Sequence, residues 1–183
     1  MAYDFSKLTA GIKDTEEWLS REFTTIRTGR ASAALLDGVK VEAYGNRSPL
    51  REIGSITVED ARTIRIVPWD KSLGKAVEKA IQEADLGISV VTDDTGLRVI
   101  FPELTAERRT MLSKVAGDKL EQARVTLRGH RTDAIKGLEA AEKEGGMGED
   151  ELKRLKEEVQ KHIDAGTAAL DAALKKKQEE IAS

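Results

Sequence analysis

The sequence predicts an α+β protein: an elongated three-helix bundle interrupted by a small inserted β/α/β domain. Three observations lead to this class. Helical periodicity governs residues 3–28, 105–144 and 149–182, whereas period-two alternation governs much of what lies between. All three prolines, Pro49, Pro68 and Pro102, fall in that middle region. A short glycine-rich break, Gly145-Gly146-Met147-Gly148, separates the last two helical segments and implies an antiparallel hairpin. The chain therefore leaves a helix, builds a second domain and returns. The expected domains are 1–30 with 105–183 (the bundle) and 31–104 (the insert).

The first segment carries Phe5, Leu8, Ile12, Leu19, Phe23 and Ile26 at threes, fours and their sums, one apolar stripe of an amphipathic helix. Gly29 marks its end, flanked by Thr28 and Arg30. In the insert, Val39-Lys40-Val41-Glu42-Ala43-Tyr44 alternates as a half-buried strand does, and Gly45-Asn46 follows as a turn. Residues 50–57 and 62–67 read as further strands. Residues 71–85 read as a helix with Leu73, Val77, Ala80, Ile81 and Ala84 on one face, closed by Leu86-Gly87. Residues 88–91 and 97–101 form a hairpin around Asp93-Asp94-Thr95-Gly96. The order β-β-β-α-β-β predicts a small open sheet or sandwich with one helix. Thr105 is a good N-cap for the third segment, although Arg108 stands where a capping-box glutamate would be. Leu112, Val115, Ala123, Leu127, Ala134, Leu138 and Ala141 then hold helical phase for about 40 residues, a rod of roughly 60 Å. Leu152, Leu155, Val159, Ile163, Leu170, Leu174 and Ile181 do the same in the last segment. The first helix packs into the groove of this hairpin.

Composition narrows the function. Charged residues make up 34% and aromatics only 4%, a balance suited to long solvated helices. The net charge of −3 gives no bulk attraction for nucleic acid, so any such binding requires local segregation of charge. The absence of cysteine excludes disulfides, thiolate metal sites and cysteine nucleophiles. No stretch approaches the roughly 20 apolar residues of a membrane span, and MAYDFSKL carries neither an apolar run nor an arginine-rich presequence. A cytoplasmic protein without a membrane partner is expected.

Charge is segregated in the third helical segment. Residues 108–136 hold Arg108, Arg109, Lys114, Lys119, Arg124, Arg128, Arg131 and Lys136 against only Asp118, Glu121 and Asp133. Arg124, Arg128 and Arg131 fall at i, i+4 and i+7 and share a face. Arginine suits phosphate because its planar fork donates two parallel hydrogen bonds and stays charged. No base-reading motif accompanies the stripe, which points to backbone or shape recognition. Charge alone favours the blander reading, a solvated face neutralised by the acidic last helix. His130 and His162 lie symmetrically about position 146 and so sit at similar heights in the hairpin, but no third metal ligand has the spacing. No nucleophile–base pair, nucleophile elbow or phosphate-binding glycine loop is present, and neither a catalytic role nor a cofactor is expected. A helical adaptor for a protein partner and an unrelated RNA-backbone binder stand as alternatives, with an enzyme the weakest.

Several motifs, in order, resemble the bacterial ribosome recycling factor family over nearly the whole chain. They are Ile26-Arg27-Thr28-Gly29-Arg30-Ala31; Val41-Glu42-Ala43-Tyr44-Gly45 with Pro49-Leu50; Val77-Glu78-Lys79-Ala80-Ile81 with Asp85-Leu86-Gly87; Leu104-Thr105 through Glu107-Arg108-Arg109; and Glu121-Gln122-Ala123-Arg124 with Arg128-Gly129-His130-Arg131-Thr132-Asp133-Ala134. The resemblance implies two domains arranged as an L. It also implies a monomeric factor that enters the post-termination ribosome and separates the subunits with elongation factor G and GTP. It makes Arg131 the principal contact to large-subunit ribosomal RNA, with Arg128 one turn away. Arg27 and Arg30 near the domain junction become further contacts, and Arg109 a weaker one. The two connections become a hinge built from Gly29, Arg30 and Ala31 and from Pro102, Glu103 and Leu104. The chain departs from the family pattern at Glu103, where a second proline is common; at Thr132, where an arginine is common; and at Trp69, where phenylalanine is usual.

Overall fold

Long helices are confined to the two ends of the chain, as the periodicity predicts, and two short helices lie in its middle. The computed structural model describes residues 3–183. Met1 and Ala2, counted in the expected bundle, lie outside the described residues. The helices are α1 (Ser6–Thr24), α2 (Leu50–Ile53), α3 (Gly74–Glu83), α4 (Ala106–Lys143) and α5 (Glu149–Ala182). The strands are β1 (Lys40–Ala43), β2 (Asn46–Pro49), β3 (Gly54–Asp60), β4 (Thr63–Pro68), β5 (Ser89–Asp93) and β6 (Gly96–Ile100). The fold is α+β, and the chain divides into two units. One holds residues up to Phe23 together with Lys114–Gln178; the other holds Thr24–Ser113 together with Glu179–Ser183.

The helical unit packs three helices on one apolar seam. Leu8, Ile12, Leu19 and Phe23 from α1 are buried with Ala116, Leu120, Ala123, Leu127 and Leu138 from α4 and Leu155, Val159, Ile163 and Leu170 from α5. Small residues allow close approach: a Cβ on Gly166 would lie 2.7 Å from Ile12 Cγ2. The chain ends of the helices are capped locally. Asp4 accepts from the Ser6 amide at 2.8 Å, and Thr105 Oγ1 accepts from the Arg108 amide at 3.2 Å, so Thr105 is the N-cap of α4. Gly145, at φ 77°, donates its amide to Glu142 O, and Gly146 donates to Ala141 O. That pair of bonds is a Schellman motif, which needs the left-handed residue that glycine supplies without strain. Glu149, Asp150 and Glu151 in the first turn of α5 complement its dipole.

In the second unit, β3, β4, β6 and β5 form a four-stranded antiparallel sheet in that order, and β1 and β2 form a separate hairpin. Leu36, Val41, Leu50, Ile64, Ile66, Val77, Ile81, Leu97, Val99 and Phe101 build its core, with α3 packed against it. Residues 50–57 differ from the expected single strand. Leu50 and Ile53 are both buried, a helical spacing rather than an alternating one, and form the single turn α2 before β3 begins. Gly54 starts the strand where its backbone passes so close to β4 that a Cβ would fall 2.5 Å from Val67 O. Strand β2 was not expected because Asn46 to Pro49 offers no apolar alternation. Its pairing follows from the Tyr44-Gly45 turn, where φ is 52° and 80°, the conformation of a two-residue hairpin loop. A 3-10 helix over Ala33–Gly38 occupies the stretch before β1, to which the sequence assigned no element. Residues 71–85 resolve into a 3-10 turn, capped by Asp70, and α3.

Asp93 closes the β5–β6 turn. Its Oδ1 accepts from Thr95 Oγ1 at 2.7 Å, from the Thr95 amide at 2.8 Å and from the Gly96 amide at 3.0 Å. These bonds, the Thr95 hydroxyl foremost, and then Arg65 hold its pKa down from 3.8 to about 2. A depressed carboxyl stabilises the fold fully above its unfolded pKa and ceases to do so as pH falls from 3.8 towards 2. Asp93→Asn is therefore expected to lower stability at neutral pH and to differ progressively less from the parent as pH falls through that window. An NMR titration of this carboxyl with an ordinary midpoint would contradict the assignment.

Candidate nucleic-acid interface

The basic residues of α4 separate into three groups once their partners are seen. Arg124 is neutralised: Nη1 meets Glu121 at 2.6 Å and Nη2 meets Asp171 at 2.7 Å. Asp171 first, then Glu121, raises its pKa by stabilising the cation. Lys119 pairs with Glu22 at 2.6 Å. For these two the bland reading of the stripe, a face balanced by neighbouring acids, describes what the side chains do. Lys156 and Glu139 make a similar pair across α4 and α5 at 2.6 Å, and the lysine's hydrogen bond holds the carboxyl below its usual range.

Arg131 and Arg128 belong to a second group. Arg131 is exposed, and its Nε donates to Gln160 Oε1 at 2.7 Å. Gln160 is a neutral amide, so the hydrogen bond fixes the guanidinium plane without cancelling its charge. Arg128 is exposed, and no acceptor is hydrogen-bonded to its guanidinium among the described residues. Arg131 stands at a groove lined by Lys153, Lys156 and Gln160, by the apolar Ile135 and Leu152, and by the acids Glu149, Asp150 and Glu157, so the groove itself is of mixed charge. Arg131 and Arg128 thus stand about one turn apart on α4 with neither guanidinium in an ion pair among the described residues, and each keeps N–H groups suited to phosphate.

A third group lies in the sheet-containing unit, where two of the expected contacts, Arg27 and Arg109, are hydrogen-bonded within the fold. Arg27 is 9% exposed. Its Nη1 donates to Gly87 O at 2.6 Å, its Nη2 to Pro102 O, and its guanidinium lies 5.9 Å from the Phe101 ring centroid. Burial, and secondarily repulsion from Arg108, lowers its pKa. Burial and these two internal carbonyls hold the guanidinium inside the fold. Arg109 is half-buried and gives Nη1 to Ala182 O at 2.6 Å, tying the start of α4 to the last turn of α5. Arg30 is exposed, its backbone amide bonded to Thr28 Oγ1 at 3.4 Å, and among the described residues its guanidinium has no hydrogen-bonded acceptor.

The connecting segments have no regular secondary structure. Ala31 donates to Ala61 O at 2.8 Å, Leu104 is buried, and Gly29 lies against the backbone of Ser183. Glu103, the departure from a second proline, pairs with Arg62 at 2.6 Å. Both side chains are exposed, so the pair adds little stability. The histidines engage the first helical segment separately. A Cβ on Gly11 would meet the His130 ring at 2.7 Å, and the His162 ring sits 5.3 Å from that of Phe5. Among the described residues no group of three His, Asp or Glu side chains converges as a metal site. No helix among them is long and apolar enough to cross a membrane.

Gln160 is the site residue that sequence reasoning missed. A signal existed: reflection about the glycine turn, which places His130 level with His162, sets Arg131 opposite position 161.

Comparison with known proteins agrees with this architecture. The family model described as ribosome recycling factor matches residues 19–182. The ribosome-recycling factor of Maricaulis maris (strain MCS10) is 41% identical over 179 residues, which span 98% of this chain and 96% of that protein. A solution structure of ribosome recycling factor superimposes with a TM-score of 0.75 at 35% identity, covering 97% of this chain and 94% of the other. A second similar structure comes from models of the T. thermophilus ribosome recycling factor and the E. coli elongation factor G bound to the E. coli post-termination complex. It matches at a TM-score of 0.65 and 37% identity over 97% of this chain and 96% of that one.

Proposed function

This chain belongs to the ribosome recycling factor family, and from that premise we propose that it binds the post-termination ribosome as a cytoplasmic monomer and, with elongation factor G and GTP, drives separation of the subunits. The GTP chemistry is the elongation factor's, which accords with the lack of a phosphate-binding glycine loop in this sequence. The observation that carries the reading is the exposed Arg131, positioned by a neutral partner on a helix in a chain of this family.

We assign the contacts to large-subunit ribosomal RNA to Arg131 and Arg128 on α4, with Arg30 as a further one. Arg27 and Arg109 act from inside the fold, the first as a staple between the two connections and the second at the end of α5. The bundle, residues 1–30 with 105–183, anchors on RNA. The insert, 31–104, receives the push of the elongation factor. Gly29, Arg30 and Ala31 with Pro102, Glu103 and Leu104 form the hinge; their irregular backbone supports that role.

Light scattering of post-termination ribosomes tests the proposal. A fall in scattering that requires this protein, elongation factor G and GTP together, in the presence of an anti-association factor, is the expected result. No fall with a folded protein and ribosomes from its own cells would overturn it.

A further inference from the structure

Arg131 is held across the helical unit by an amide rather than by a carboxylate. Arg124, Lys119 and Lys156 all meet carboxylates at 2.6–2.7 Å. Arg131 instead gives Nε–H to Gln160 Oε1 at 2.7 Å, and Gln160 gives its own Nε2–H to Asp164 Oδ1 at 2.8 Å. The second bond sets the first. Asp164 accepts only, so it draws the amide nitrogen to itself and turns the amide oxygen towards Arg131.

The consequences for the arginine are geometric and electrostatic. A bond at Nε fixes the guanidinium plane while both Nη groups, the outer edge of the fork, remain available for a phosphate. A carboxylate at the same place would hold the plane equally well, but its charge would offset the cation and repel the incoming phosphate. Asp164 makes no ion pair with Arg131 among the described residues; its carboxylate accepts from the amide instead. We infer that Gln160 is a positioning residue for the RNA contact of Arg131, and that its neutrality is the property that serves binding. The inference rests on the ribosomal-RNA reading of Arg131 given above.

The test compares full-length Gln160→Met, Gln160→Glu and Arg131→Ala proteins for affinity to isolated large subunits over a salt series, with thermal melting as the control. Gln160→Met keeps the length and loses the acceptor; its affinity is expected to fall about fivefold with the salt slope unchanged, since one positioning hydrogen bond is lost and no charge. Gln160→Glu keeps the acceptor and adds a charge. It is expected to weaken binding about as much as Arg131→Ala and to reduce the log–log salt slope by about one. A packing role alone would leave this near-isosteric change silent. Gln160→Glu binding at parental affinity, while Arg131→Ala binds weakly, would overturn the inference and leave the RNA reading intact. Arg131→Ala at parental affinity would remove both.

Discussion

Replacing Arg131 with alanine is expected to weaken ribosome binding by about ten- to a hundredfold, the equivalent of the roughly 1.5–3 kcal/mol that hydrogen bonds to a charged group contribute. The protein's own stability is expected to change by no more than about 0.5 kcal/mol, because the side chain is exposed and gives up one surface hydrogen bond, to Gln160. Binding of the parent should fall as salt rises, and the variant should show a shallower dependence because one fewer phosphate is neutralised. Arg124→Ala provides the contrast. That guanidinium is already balanced by Glu121 and Asp171, so its removal should affect affinity far less. Equilibrium binding of the two variants to ribosomes decides the matter, and equal losses would contradict the division of the stripe into spent and available cations.

Arg27→Ala is expected to do the reverse. It should destabilise the sheet-containing unit by about 2–4 kcal/mol, because it strips charged hydrogen bonds from Gly87 O and Pro102 O and opens space beside Phe101. Arg27→Lys should rescue little, since one ammonium cannot reproduce a planar group that bridges two carbonyls. Native-state hydrogen exchange of the amides in β4 and β6, which lie in that unit, measures the effect. The salt slope of ribosome binding should be unchanged in whatever fraction is folded. A loss below about 1 kcal/mol together with a shallower slope would return Arg27 to the RNA-contacting set.

These two arginines show where a sequence can be read and where it cannot. The helical frame was legible because its physics is local: Leu8, Ile12, Leu19 and Phe23 record a period, and Thr105 and Gly145 record helix ends. Strand β2 was not legible because Asn46 to Pro49 is polar on both faces and its pairing is dictated by the turn before it. The turn α2 was missed because Leu50 and Ile53 are too short a run to separate a helical spacing from a strand. At the site, residue type was visible and commitment was not. Arg27 and Arg131 are the same residue in similar charge surroundings. What removes Arg27 from the surface is a pair of carbonyls 60 and 75 residues further along the chain. What leaves Arg131 available is the choice of glutamine over glutamate at position 160, across the hairpin.

The discontinuity of the helical unit has a consequence for the newborn chain. The core of the sheet unit runs from Leu35 to Phe101 without a break, so its members are all synthesised before most of α4 exists. The seam of α1 has no such luck, because Leu8, Ile12, Leu19 and Phe23 find their cover on α4 and α5. At roughly 5–20 residues per second, α1 is without its partners for on the order of ten seconds during translation. Its closure onto the hairpin is a long-range event that comes after local structure has formed. The protein is thus assembled middle first and ends last. The apolar face of α1 is uncovered while it waits, and polar substitutions along that face would ease this exposure only by weakening the finished bundle.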